Sequence, residues 1–182
     1  MDPLSGKTAV ITGAASGFGR ELAILCAAEG MNLVLADLDE NGLRATQQLV
    51  GDAKTLLVAC NVAKAESVKS LADQAFSTFG KVHLLFNNAG VAAAGPTWTM
   101  TPEDWKWVLD VNLMGVVHGI HSFVPRMLTQ GEPAHVVNTA SVAGLLSVPG
   151  SSVYCVSKHG VVTLSECLHQ DLQIAKANIG VS

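Results

Sequence analysis

The chain has 182 residues, 49% of them hydrophobic and 14% charged, which is enough apolar material to bury a sizeable core and a length that fits one domain, residues 1–182. Its 11 basic and 15 acidic residues leave a net charge of -4, and no basic run is present to neutralise phosphates, which argues against a nucleic-acid partner. The start Met1-Asp2-Pro3-Leu4-Ser5-Gly6-Lys7 has no cationic-then-apolar leader pattern, and no run approaches the roughly 20 apolar residues of a membrane span, so a soluble cytoplasmic protein is expected.

In chain order, apolar β-branched runs alternate with segments of helical spacing. The expected elements are strand 7–12, helix 17–29, strand 31–37, helix 40–50, strand 54–60, helix 65–79, strand 82–87, helix 102–129, strand 134–140 and helix 151–176. Strands this apolar, each followed by a helix, predict a parallel sheet covered on both faces. Right-handed crossovers then give a doubly wound, Rossmann-like α/β fold of strand order 3-2-1-4-5, with a ligand cleft at the carboxyl ends where the winding reverses.

The first expected strand runs into Thr12-Gly13-Ala14-Ala15-Ser16-Gly17-Phe18-Gly19, and a helix follows. A glycine-rich turn there lets backbone amides approach a pyrophosphate, with the helix amino terminus adding a favourable dipole. The spacing is TGxxxGxG, not the commoner GxGxxG. The second expected strand ends at Asp37, where a carboxylate can accept bonds from adenosine ribose hydroxyls; a local cap near Asp39 and Asn41 is the plainer alternative. Tyr154 and Lys158 stand four positions apart on an expected helix, one turn apart on one face. A phenol titrates at about 10, and a neighbouring ammonium favours its ionised form, so Tyr154 becomes a candidate general acid or base. Upstream, Val136-Val137-Asn138-Thr139-Ala140-Ser141 reads as a buried strand ending in a hydroxyl.

Together TGAASGFG, Asn87-Asn88-Ala89-Gly90, Asn112, Ser141 and the YxxxK of Tyr154 and Lys158 resemble the short-chain dehydrogenase/reductase family, in the family's order and over essentially the whole chain. The resemblance implies an oxidoreductase that moves hydride between a nicotinamide cofactor and an alcohol or carbonyl carbon. It implies that Tyr154 exchanges a proton with the substrate oxygen, that Ser141 hydrogen-bonds that oxygen, and that Lys158 acts on Tyr154 while holding the nicotinamide ribose. Asn112 would bind a water through its main chain. Gly13, Ser16, Gly17, Phe18 and Gly19 would cradle the cofactor, with Asp37 on the ribose. Asn61 and Val62 would meet adenine, and Asn88, Ala89 and Gly90 would lie against the adenosine ribose. Asn61 departs from the aspartate usual there, although an amide oxygen can still accept the adenine amino group. Taken singly, each residue has a plain structural alternative: Tyr154 as an ordinary helix residue, Lys158 as a solvated charge, Ser141 as a cap, Asn112 as a helical polar residue, and Asn87–Gly90 as a turn.

Charge selects the cofactor. Asp37 would repel the additional phosphate of NADP, and Ser16, Phe18 and Leu38 bring no compensating cation, which favours NAD. The apolar stretches 142–149 and 91–94 point to an apolar alcohol or ketone. In the family two long helices, here 102–129 and 151–176, pack between subunits, which implies a homodimer or homotetramer. No metal is expected: His118 and His121, three apart, lack a third ligand at suggestive spacing. Trp105 and Trp107 read as packing residues, and Trp98 as a weak candidate for a pocket wall. Cys26, Cys60, Cys155 and Cys167 lack CxxC spacing and read mainly as buried free thiols. Family members run to roughly 250 residues, whereas this sequence stops at Asn178-Ile179-Gly180-Val181-Ser182, where a sixth strand looks to be starting. Either further residues follow, or the chain is a truncated, weakly active nucleotide-binding or assembly subunit.

Overall fold

Five consecutive apolar or β-branched residues, Thr8–Thr12, form strand β1, every one of them buried. The computed structural model describes residues 4–182, so part of the amino-terminal stretch read above, Met1–Pro3, lies outside the described residues. After β1 come α1 (Gly17–Ala28), β2 (Asn32–Asp37), α2 (Glu40–Leu49), β3 (Thr55–Ala59), α3 (Ala65–Phe79) and β4 (Leu84–Asn87). Then follow α4 (Pro102–Leu109), a π turn (Asp110–Met114), α5 (Gly115–Thr129), β5 (Ala134–Asn138), α6 (Ser152–Ile174) and β6 (Ile179–Val181).

All six strands are parallel, in the order β3-β2-β1-β4-β5-β6. The central register sets Val10 beside Val34 on one side and Leu85 on the other. Because side chains alternate across a strand, β1 feeds two cores. Val10 joins Val34, Leu85, Phe123, Met127 and Val136 under α3, α5 and α6. Ala9 and Ile11 join Leu33, Leu35, Ala23 and Leu43 under α1 and α2. Each fully buried Leu, Ile or Phe contributes about 1.5–3 kcal/mol relative to exposure. The chain crosses from β3 to β4, on the far side of β1, and this reversal opens a cleft at the carboxyl ends of β1 and β4.

Local chemistry sets the helix starts. Asp39 caps α2, its carboxylate accepting from the amides of Asn41 and Gly42 at 3.0 Å each. Thr101 and Asp104 form a reciprocal capping box on α4, with Pro102 in the first helical position.

Three features differ from expectation. The helix 102–129 is continuous but changes to π geometry over Asp110–Met114, which hydrophobic spacing does not reveal. At 28 residues it passes the length and hydropathy test for a membrane span, yet Val116, Phe123, Val124 and Met127 are packed into the core of the sheet. The fifth strand ends at Asn138, short of Ser141, because the Ser141 hydroxyl accepts from the Ala143 amide and closes a 3-10 turn over Val142–Gly144. The sixth strand, only suspected as starting, is formed: Ser182 N bonds Val136 O at 3.0 Å and Asn138 N bonds Ser182 O at 2.8 Å. It covers the edge of β5 that would otherwise stand open.

Candidate functional site

A cleft of about 770 Å³ opens along the carboxyl ends of the strands. One half is built by the β1–α1 and β2–α2 turns. Gly13, Ser16, Gly17 and Phe18 line it, with Asp37 and Leu38 opposite. Gly17 has φ +52, a conformation costly for residues with a Cβ, and nothing lies within 4 Å of where a Cβ would stand. The turn therefore presents bare backbone to an open cradle at the amino terminus of α1. Ser16 precedes the helix without spending its hydroxyl on a cap. Gly19 does not line the cleft; it lets the helix close on the turn, since a Cβ there would stand 2.1 Å from the Gly13 carbonyl oxygen.

Asp37 lines the cleft and makes local bonds as well. Its Oδ2 accepts from the Ala15 amide at 3.0 Å, tying β2 to the glycine turn, and its Oδ1 accepts from the Asp39 amide at 3.1 Å. Each carboxylate oxygen keeps further acceptor capacity on the cleft side. Asn61 and Val62 line the same half, and the Asn61 side-chain oxygen accepts from the Ala63 amide at 3.0 Å. Cys60 also faces in, its thiol pushed above the ordinary range chiefly by burial, so it sits there as a protonated apolar group. This geometry fits an extended ligand with an anionic centre at the turn and hydroxyls toward Asp37.

The other half is assembled from β4, β5 and α6. Ser141, Tyr154 and Lys158 line it together with Asn88, Ala89 and Gly90. Lys158 is only 4% exposed, and burial lowers the pKa of its ammonium. Its Nζ lies 5.7 Å from the centroid of the Tyr154 ring, as the four-residue spacing implies, and donates to the Thr139 carbonyl at 2.6 Å. The Ser141 oxygen already accepts from the Ala143 amide, which leaves its proton available to an oxygen in the cleft.

Asn112 is brought close without lining the cleft. Buried in the π turn, its side chain accepts from Val91 N and donates to Val91 O, both at 2.8 Å, and donates to Ser157 Oγ at 3.1 Å. It thus clamps the loop after β4 to the helix that carries Tyr154 and Lys158. Asn88 is likewise structural as well as lining: its amide nitrogens donate to Thr12, from the backbone to Oγ1 at 3.0 Å and from the side chain to the carbonyl at 3.0 Å.

Sequence reasoning missed some contributors. Thr12, the first residue of TGxxxGxG, accepts from Asn88 N and Ala89 N and so joins the two central strand ends. Thr139 anchors Lys158, a contact between residues 19 apart that no local pattern signals. Trp98 is 87% exposed and does not line the cleft; Trp107, read as packing, does, beside Val111. Helical spacing could have paired Trp107 with Val111, but only the path of the helix turns that face toward the cleft. Of the other residues weighed, His118 meets the Val62 carbonyl at 2.9 Å. Cys155 is buried, as are Cys26 and Cys60, whereas Cys167, also read as buried, is exposed.

Comparisons with known proteins agree with this geometry. The family model described as short chain dehydrogenase matches residues 7–182. A CLA biosynthesis dehydrogenase/reductase of Lactiplantibacillus plantarum is 39% identical over 183 residues, covering 100% of this chain and 63% of that protein. A cyclohexanol dehydrogenase of Acinetobacter sp. strain SE19 is 39% identical over 168 residues, covering 89% of this chain and 65% of that protein. Among solved structures, a short chain dehydrogenase/reductase from Burkholderia phymatum in complex with NAD superposes with a TM-score of 0.98 at 52% identity, covering 100% of this chain and 66% of that one. The chain spans just under two thirds of the length of these three proteins.

Proposed function

The chain belongs to the short-chain dehydrogenase family, and from that premise we propose that it is an NAD-dependent oxidoreductase acting on an alcohol or carbonyl substrate. The observation that carries this reading is convergence: Tyr154, Lys158 and Ser141 open onto the same cleft as the Gly13–Gly17 turn and Asp37. The family coverage and the NAD bound to the Burkholderia phymatum relative support it.

When bound, NAD would supply or accept the hydride. Gly13, Ser16, Gly17 and Phe18 would hold its pyrophosphate, Asp37 its adenosine ribose, Asn61 and Val62 its adenine, and Asn88 to Gly90 the inner side of the ribose. Gly19 contributes by keeping the turn closed. Tyr154 exchanges a proton with the substrate oxygen, a role worth about 10²–10⁴ in rate. Ser141 donates to the same oxygen and stabilises the charge developing there. Lys158 is held by Thr139 with its ammonium near Tyr154, and would hold the nicotinamide ribose. Asn112 keeps these elements in register through its side chain, and its main chain in the π turn is the point at which a water would connect Lys158 to solvent.

The substrate is read as apolar. Val142, Leu145, Leu146 and Val148, between Ser141 and Tyr154, are exposed apolar side chains, and Lys158 is the sole cation among the described residues lining the cleft. A homodimer or homotetramer packed through the 102–129 helix and α6 belongs to the same reading, supported by solvent-facing Met114, Val156 and Ile174.

The test is Tyr154→Phe. Reduction of NAD with cyclohexanol should fall by at least about a hundredfold, while NADH still binds. Unchanged turnover would sink the assignment of Tyr154.

A further inference from the structure

Trp107 has no part in the reading above, yet it stands on the wall of the cleft. Asn112 turns toward the catalytic half, bonded to Val91 and Ser157. Val111, one residue before Asn112, points in a different direction around the helix, and it too lines the cleft. One turn further on, a Cβ on Gly115 would meet Val62 Cγ2 at 3.0 Å, and His118 Nδ1 reaches the Val62 carbonyl at 2.9 Å. The stripe Trp107, Val111, Gly115 therefore fronts the Val62 side, away from Tyr154 and Ser141. Trp107 ends this stripe at the rim. Its indole is 50% exposed, a large flat apolar surface left in water beside a cleft.

We propose that Trp107 is a contact for the adenosine half of the dinucleotide, its ring packing against the adenine face. The inference rests on the NAD reading above. Asn61 and Val62 would meet adenine at its edge, and Trp107 would cover a face that the backbone leaves wet. Planar aromatic surface suits this task because a purine presents its π-face whatever its edge bonds to.

The experiment titrates the native protein, Trp107→Leu, Trp107→Phe and Trp98→Phe with NADH and separately with AMP, which carries only the adenosine half. The native protein and Trp98→Phe should bind both. Trp107→Leu should weaken both by at least about fivefold, the low end of what losing an aromatic partner costs a base, and Trp107→Phe should keep most of the affinity. AMP binding to Trp107→Leu at native affinity would overturn the proposal, including the case in which only the KM for the alcohol moves. Failure of the native protein to bind NADH would instead overturn the dinucleotide reading, so the two failures are distinguishable. A second readout does not depend on how well the Leu variant folds. AMP should quench tryptophan emission in the native protein and in Trp98→Phe and much less in Trp107→Phe, and equal quenching in all three would count against the contact.

Discussion

The two halves of the cleft are built differently. The half around Gly13–Gly19 and Asp37 is nearly local: two successive strand–turn–helix units, joined by the Asp37–Ala15 bond across 22 positions. The half around Ser141, Tyr154 and Lys158 depends on longer reaches. Asn112 joins Val91 to Ser157, spanning 21 and 45 positions, and Thr12 holds Asn88 and Ala89 across 76 and 77. A local half can be specified by a short motif, whereas an assembled half requires the whole sheet to be in register before its groups meet.

Four substitutions would break or sharpen this contrast. The largest effect is expected from Gly19→Ala. The new Cβ would stand 2.1 Å from the Gly13 carbonyl oxygen, a backbone atom that cannot step aside, so the turn must shift. Overpacking of this kind costs about 1–3 kcal/mol, and NADH affinity should fall at least about tenfold. Native affinity, measured by titration, would mean that the turn is not the cradle.

Asn112→Ala comes next. It leaves polar groups of Val91 and Ser157 without partners, at about 1–3 kcal/mol for a buried group. Since the damage lies between the loop and α6, kcat should fall while NADH affinity changes little. A loss confined to NADH binding would contradict the division into halves.

A smaller shift is expected from Asp37→Asn, which keeps a side-chain acceptor for the Ala15 amide but removes the charge. Preference for NAD over NADP should drop on the order of tenfold, about 1.4 kcal/mol, and an unchanged ratio of kcat/KM values would deny Asp37 its discriminating role.

The smallest effect concerns the opposite end of the sheet. Glu132 accepts from Lys81, Lys7 and His83, and these bonds hold its carboxyl far below the usual carboxylate range. A depressed folded-state pKa contributes stability that is present above the unfolded value of about 4.3 and lost as pH falls below it. The native Tm should therefore drop more steeply on acidification below about pH 4.3 than that of Glu132→Gln, with no change in NADH affinity at neutral pH. Parallel Tm curves would remove Glu132 from the account of acid stability.

Much of this was legible in residues. The alternation of apolar runs with helical spacing carried the parallel order from β3 through β5, because a strand buried on both faces admits few polar residues and a parallel neighbour requires a crossover. TGxxxGxG, Asp37 and the Tyr154–Lys158 spacing marked both halves of the cleft, since each is a local geometric demand. The π turn at Asp110–Met114, the 3-10 turn begun by Ser141 and the place of Trp107 were not legible. They depend on which partners the backbone meets. Ser141 closes a turn instead of extending β5, and a tryptophan at helical spacing suits a core or a cleft wall equally well.

By itself, then, the sequence determined the fold class, the family and the chemistry of the candidate site, because backbone conformation and side-chain type are properties of short segments. Tertiary structure alone decided which groups meet: Lys158 on the Thr139 carbonyl, Asn112 between Val91 and Ser157, Trp107 on the wall of the cleft, and β6 across the edge of β5. Those pairings join residues far apart in the chain, and only the packed sheet brings them within reach of a hydrogen bond.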